Sequence, residues 1–467
     1  MLEIIAPRKN KICLLDYNYK KDIENRCLLS SLNELELNAL EEILFSSIKT
    51  SISRLSKDID IQEKTLLPIL KKLTSSELIQ IDGEIVTIDK KMRKYFEFEY
   101  KRFDENFKPD LLFINNLLQK IPIHILPIWY SLPKSSNNIF ESIIDKYFKT
   151  PHLFERHISN IEHEKEIFLH IIEDVYNAKD FEIEAKVLQK KYDLDKETYL
   201  ECILLLEFNF LCFQSYKKTK KGFVEVLSPF HEYKAYLLYL QKTKTASIEN
   251  TKSIIRKRNT DFGFVKDLSS ALKIAKKPIS IEQLHDNLKK EISLKDTDII
   301  ITSTYINSVL EKLIDLNFLI KKQDLIKSAS KTDEWLGLDY EKKALHLYYH
   351  PLNTLKNKNI LPTLIAEKAI KETEKSIIRV LNNDWVYFDD FKNGILAAIA
   401  DEKVIKIISH GKAHKYFIPT YTSEEILFVK TVIFERLFET GIIAVGSLNG
   451  RDCFRVTKFG KSLFEIS

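Results

Sequence analysis

Histidines gather in one stretch of this chain. Four of the eleven lie between His152 and His170, and His163, Glu166 and His170 fall at i, i+3 and i+7. On a helix these three share a face, and imidazole with carboxylate is a donor set that zinc accepts. The His-Glu-x-x-His spacing is broken at Ile167, so a solvated helix face is the stronger reading and no metal is expected. His410 and His414 flank a glycine loop with no cysteine partner. Asp389-Asp390, set beside Phe388 and Phe391, read as acids in the first turn of a helix. Gly460-Lys461-Ser462 has the tail of a phosphate-binding loop, but Arg455 stands where its first glycine belongs. No Ser/His/Asp or Cys/His arrangement stands out. The expectation is a protein that is not an enzyme and holds no cofactor; an enzyme with a metal at His163 and His170 is the third-ranked alternative.

The other chemistry within reach is contact with nucleic acid. Lys64, Lys71 and Lys72 lie on one predicted helix, with Gln62 and Thr65. Thr302, Thr304, Asn307 and Lys312 lie on another. Such groups can face phosphates and base edges in a groove. Lys217, Lys218, Lys220 and Lys221 fall in a predicted turn, and Arg256, Lys257 and Arg258 in a predicted linker, where they would meet phosphates alone. Each of those two runs is more often just a solvated charge run. Two comparable helices, Lys196 to Phe208 and Glu424 to Thr440, are apolar and partly acidic, and are expected to be buried or to face protein.

The elements that position these groups follow one grammar, used four times. An apolar-periodic helix ends, a cap residue follows, and two apolar residues lead into a strand. Leu73, Leu205, Leu313 and Leu437 anchor the four copies. Position +4 is Glu77, Asn209, Asn317 or Gly441, and three of these are types that tolerate the left-handed conformation closing a helix. A third helix running through a cap into a hairpin is the order of a winged helix-turn-helix. The expected fold is therefore mostly α with small β-hairpins, as tandem winged helix-turn-helix modules. Module one occupies residues 1–108. A helical spacer plus module two occupies 109–245, module three 261–352 and module four 362–467. Asp82-Gly83 and Asn449-Gly450 are expected hairpin turns, and all four anchor leucines should be buried.

Composition agrees with this and narrows little else. Ten glycines and twelve prolines in 467 residues favour helix over a loop-rich fold. A net charge of +5 does not decide the partner. Five cysteines without a CxxC fit a reducing compartment, with Cys202 and Cys212 as buried thiols. No signal-peptide core and no apolar run of membrane-spanning length is present, so a cytoplasmic protein without membrane contact is expected.

Several stretches carry a family resemblance. They are Asp333-Glu334-Trp335-Leu336, Tyr349-His350-Pro351-Leu352-Asn353, Trp385-Val386-Tyr387-Phe388-Asp389-Asp390-Phe391 and Phe454-Arg455-Val456-Thr457-Lys458-Phe459-Gly460-Lys461. Across roughly residues 110–467 the chain resembles the winged-helix region associated with XPB-type DNA helicases and the related non-motor subunit of TFIIH. That resemblance implies a helper or DNA-engaging role near a helicase, with the motor domains absent. The expected function is a non-enzymatic, weak DNA-binding or scaffolding component of a DNA-processing or transcription complex. Its expected partners are double-stranded DNA, bound non-specifically, and a helicase or transcription protein. The alternative is a pure protein–protein interaction subunit without nucleic-acid contact.

Overall fold

The computed structural model describes residues 11–133, 138–160, 166–220, 222–295, 301–322, 324–351, 353, 355, 366–411 and 413–465. The chain is mostly helical, 57% helix against 14% strand, and its strands form small antiparallel sheets as expected.

One order of elements recurs four times: helix, short strand, helix, helix, hairpin. In repeat one it is Glu34–Phe45, Lys49–Ser51, Ile52–Asp58, Glu63–Thr74, then Ile79–Asp82 and Ile85–Ile88. Repeat two runs Glu166–Asn177, Ile183–Glu184, Ala185–Tyr192, Lys196–Phe208, then Phe213–Thr219 and Gly222–Ser228. Repeat three runs Gly263–Ile274, Ile279–Ser280, Ile281–Lys295, Ser303–Asp315, then Leu319–Lys322 and Leu325–Ser328. Repeat four uses Glu367–Lys375, Val386–Tyr387, Phe388–Lys392, then Ser423–Thr431 continued by the π-helical Val432–Leu437, and closes with Ile443–Leu448 and Arg451–Val456. In every repeat the short strand pairs with the second hairpin strand: Thr50 lies opposite Val86, Ile183 opposite Leu227, Ile279 opposite Ile326, and Val386 opposite Phe454.

Local chemistry sets the boundaries. Asn33 accepts from the Glu36 amide while the Glu36 carboxylate accepts from the Asn33 amide, a reciprocal cap that starts the first helix. Ser280, Thr302 and Thr457 accept from the amides three residues on.

At the other end, the repeated cap holds in three copies as expected and slips in one. Leu73, Leu313 and Leu437 are fully buried, and Glu77, Asn317 and Gly441 take positive φ of 65°, 53° and 72°. In repeats three and four the anchor carbonyl accepts from the residue after the left-handed one, Phe318 and Ile442. In repeat two Leu205 is only half-buried and Asn209 is not left-handed. There Phe210 has φ 65°, Leu206 accepts from the Leu211 amide, and Leu206 is the buried residue. The whole cap sits one residue later than expected. Gly441 could not be another residue: a Cβ there would stand 2.7 Å from the Phe262 ring.

Three further expectations shift. The first hairpin turns at Gly83-Glu84, because Asp82 pairs with Ile85. Lys217 and Lys218 are not turn residues but strand residues opposite Val224 and Phe223, in a pairing that runs on to Thr219 opposite Gly222. The stretch Lys242 to Thr260 is not a bare linker, since Ile255–Arg256 pairs with Ser447 and Gly446 as a fourth strand of the repeat-four sheet. Asn449-Gly450 turns as expected, with φ 51° and 76°.

The chain forms two compact units. Unit one is Met1–Tyr239 together with Lys406–Phe417 and contains repeats one and two. The late segment is a hairpin, Ile407–His410 with Ala413–Tyr416. It is held where the Tyr416 hydroxyl donates to the Phe148 carbonyl and the Ile407 amide to that of Lys149. At the centre of unit one, six charged side chains meet. Glu207 receives Arg102 Nη1 at 2.6 Å and Arg26 Nη2 at 2.8 Å. Glu99 takes Arg102 Nε at 2.8 Å and Lys120 at 2.6 Å. Asp22 takes Arg26 Nε at 3.2 Å and Lys120 at 3.0 Å. Three cations balance three carboxylates, and the Tyr95 hydroxyl completes Asp22 at 2.6 Å. Burial alone would raise the Glu207 pKa, but Arg102 and Arg26 outweigh it and hold the carboxyl at about 2. Asp22 is lowered in the same contest, by Lys120 and Arg26.

Unit two is Leu240–Ile405 with Ile418–Ser467 and contains repeats three and four. One continuous apolar cluster runs through it, from Val309, Leu313 and Phe318 to Val432, Leu437 and Phe454. Among its buried or nearly buried charges are separate pairs: Arg258 with Asp267 at 3.0 Å, Lys312 with Glu439 at 2.7 Å and Arg436 with Glu374 at 2.6 Å.

Candidate interaction surfaces

The histidine stretch is only partly described. His163 lies outside the described residues. His170 is exposed, 4.0 Å from Glu166, and stacks along Tyr192 at 6.1 Å. Among the described residues no three His, Cys, Asp or Glu side chains gather in a way that could hold a metal ion. Gly460, Lys461 and Ser462 sit inside the helix Lys458–Phe464, where the Gly460 amide donates to the Thr457 hydroxyl and the Lys461 amide to the Thr457 carbonyl. Asp389 and Asp390 are first-turn acids as expected, engaged by Lys392 at 2.6 Å and Arg451 at 3.1 Å. Cys202 and Cys212 are buried, as is Cys453.

The cations proposed for DNA divide by what already holds them. Lys217 is bound to Glu182, and Lys218 to Glu34 at 2.7 Å. Lys72 is bound to Glu36 at 2.9 Å and to the Ser31 carbonyl at 3.0 Å. Lys312 is taken by Glu439 and by Asn353 Oδ1 at 3.1 Å. Arg256 closes on Asp261 at 2.6 Å, and Arg258 is buried against Asp267. The Lys257 ammonium lies 4.7 Å from the Phe438 ring centroid. Lys64, Lys71 and Lys220 are exposed, with no carboxylate in ion-pair range among the described residues. Lys221 lies outside those residues. The lysine run and the Arg256–Arg258 run are thus held locally more than composition suggests. Sequence reading missed this because the closing carboxylates are far away in the chain, Glu34 for Lys218 and Glu182 for Lys217.

The four third helices differ in what they leave open. Lys196–Phe208 buries Tyr199, Leu200, Cys202, Ile203, Leu204, Leu206, Glu207 and Phe208, so almost no face remains. Ser423–Leu437 buries Phe428, Val429, Val432, Ile433 and Leu437. Both match the expectation that they are buried. In repeat one, Lys64, Leu67, Pro68 and Lys71 are exposed along one face. In repeat three, Thr304, Asn307, Glu311 and Ile314 are exposed, and Thr302 is spent as the cap of its helix.

That last face borders a groove of about 470 Å³ between Ile281–Lys295 and Ser303–Asp315. Ile281, Leu310 and Ile314 line it together with Glu282, Asp286 and Glu311, and among the described residues no lysine or arginine does. No helix among the described residues is long and apolar enough to cross a membrane. Compared with known proteins, the sequence matches no family model and no curated protein.

Proposed function

We propose that the chain is a non-enzymatic array of four winged helix-turn-helix modules that serves a DNA-processing or transcription complex as a weak DNA-binding or scaffolding component. The observation that carries this reading is the fourfold order of helix, short strand, helix, helix and hairpin, with the short strand always on the second hairpin strand. That order supports the reading, because a winged helix-turn-helix runs its third helix through a cap into a hairpin. On this reading modules two and four are architectural, because their third helices are buried. Module one is the nucleic-acid contact, because Lys64 and Lys71 stand free on an open third helix. Lys220 in the second wing adds a backbone contact. Contacts so few and so lacking in base-reading groups bind without sequence preference, with Kd on the order of 10⁻⁴–10⁻⁶ M at physiological salt.

The test is a titration of two unrelated duplexes at several salt concentrations. Wild type should bind both alike, and Lys64→Ala, Lys71→Ala and Lys220→Ala together should lower the salt slope by up to about 3 units. Lys217→Ala and Lys218→Ala should lower it less, since their charges are already balanced. A strong preference for one duplex, or a slope that the triple variant leaves intact, counts against module one as the contact. The second reading, a protein-interaction subunit without nucleic-acid contact, is favoured by the acidic groove of repeat three. Absence of binding to either duplex at low salt would select it.

A further inference from the structure

The repeat-three groove has a chemistry of its own. Ile281 and Glu282, then His285 and Asp286, present one face of the second helix. Asn307, Leu310, Glu311 and Ile314, at i, i+3, i+4 and i+7, present the facing stripe of the third. Ile281 and Ile314 remain 45% and 40% exposed over a buried Leu310. Of the three carboxylates, only Asp286 has an imidazole beside it among the described residues, that of His285 at 3.4 Å. That the described lining holds three carboxylates and no lysine or arginine sets it apart in a chain that has 72 of those cations. Phosphate oxygens brought here would face carboxylates across a few ångströms and be repelled. The same site rewards apolar surface through its isoleucines and positive charge through its rim. An amphipathic helix laid in a groove is a recurring way to satisfy both demands.

We propose that this groove is the docking site for a cationic amphipathic segment of a partner protein. An apolar side chain seats on Leu310 between Ile281 and Ile314, and lysines or arginines of the segment face Glu282, Asp286 and Glu311. The charge of the occupant follows from the rim, and its apolar stripe from the floor. The proposal extends only the scaffolding part of the proposed function and makes no use of DNA contact, so either can fail without the other.

The experiment uses the full chain and three fluorescent peptides of about 16 residues, roughly four helical turns. One carries a leucine stripe with lysines, one a leucine stripe with glutamates, and one serines with lysines. Only the leucine–lysine peptide should bind saturably, as read by anisotropy. Glu282→Lys, Asp286→Lys and Glu311→Lys together should weaken it at least about tenfold, and Ile314→Asp alone should weaken it too. Lys64→Ala with Lys71→Ala should leave peptide binding unchanged. All the substituted positions are on the surface, and unchanged far-UV dichroism and melting would establish that the variants fold. The proposal is overturned if the leucine–lysine peptide does not bind, if the serine–lysine peptide binds equally well, or if charge reversal changes nothing. It is also overturned if sedimentation shows a dimer that Ile314→Asp dissociates, which would give the groove to a second copy, or if Asn307→Ala abolishes duplex binding, which would give it to DNA.

Discussion

The two units bury charge in different ways. Unit one concentrates three cations and three carboxylates into one network, contributed by segments that contain Asp22, Arg26, Glu99, Arg102, Lys120 and Glu207. Unit two spreads its buried charge over separate pairs around a continuous apolar cluster. A buried pair gains little over well-packed apolar residues, because desolvation offsets its attraction, yet removing one partner is costly. The network makes that asymmetry larger, since Glu207 alone satisfies two arginines. Helix Lys196–Phe208 is enclosed nearly all round, so a carboxylate inside it fixes which groups may approach. An apolar cluster such as that of unit two best tolerates swaps that conserve volume; the network of unit one requires in addition that each buried charge keep its partner.

The largest effect that would test this contrast is on Glu207. Glu207→Ala leaves Arg26 and Arg102 buried without their shared partner and should cost about 3–5 kcal/mol. Native-state hydrogen exchange should show the loss in unit one peptides; an equal loss throughout unit two would end the distinction. Next comes Leu313→Ala, expected to cost about 2–5 kcal/mol and to register in unit two. Its counterpart in repeat two sharpens the cap argument, because Leu206→Ala should cost more than Leu205→Ala in chemical denaturation. Equal costs would restore Leu205 as the anchor.

Acid comes third. Glu207 has its pKa lowered from 4.5 to about 2, so its stabilisation is present above pH 4.5 and lost as pH falls towards 2. His157, whose imidazole burial depresses from 6.5 to about 4, adds a loss between those values as pH falls. Unit one should therefore open first on acidification, its exchange accelerating below about pH 6 and steeply below 4.5. If unit two opens first, separate pairs are the weaker device. The smallest effect concerns Glu232. Burial raises its pKa to about 8, and its Oε2 has no partner among the described residues. The folded state thus keeps a proton that the unfolded chain gives up above about 4.5. Its contribution is full below that pH and fades as pH rises through 8. Glu232→Gln should leave stability unchanged at pH 4 and raise the melting temperature at pH 9; no gain at pH 9 would show that the carboxylate is solvated there.

The repeat was legible because it is written locally. Helix periodicity, caps such as Asn33 and Ser280, and the Asn449-Gly450 turn each act within a few residues. The slip in repeat two was not legible. Leu204, Leu205 and Leu206 are chemically alike, and only the enclosure of their helix decides which one turns inward. The strand Ile255–Arg256 was hidden inside a basic run. It forms because Gly446 lets it come close: a Cβ there would stand 2.8 Å from the Ile254 side chain. The network was invisible for another reason. Glu207 lies 105 residues from Arg102 and 181 from Arg26, so each member reads singly as a surface charge. For the candidate surfaces, the open faces of repeats one and three were readable as polar stripes. The acids of the groove were not, because Glu282 and Asp286 come from a different helix than Glu311.

The membership of unit one has a consequence for how the protein is made. Its last piece, the hairpin at Lys406–Phe417, is encoded after most of unit two. At ribosomal speeds of about 5–20 residues per second, Phe148 and Lys149 wait on the order of ten seconds or more for the strands that satisfy their carbonyls. During that interval the nascent first half is an unfinished body with an unfilled place. A chain that ends between Tyr239 and Lys406 would lack the hairpin that bonds the Phe148 and Lys149 carbonyls, and would carry its first unit without that piece.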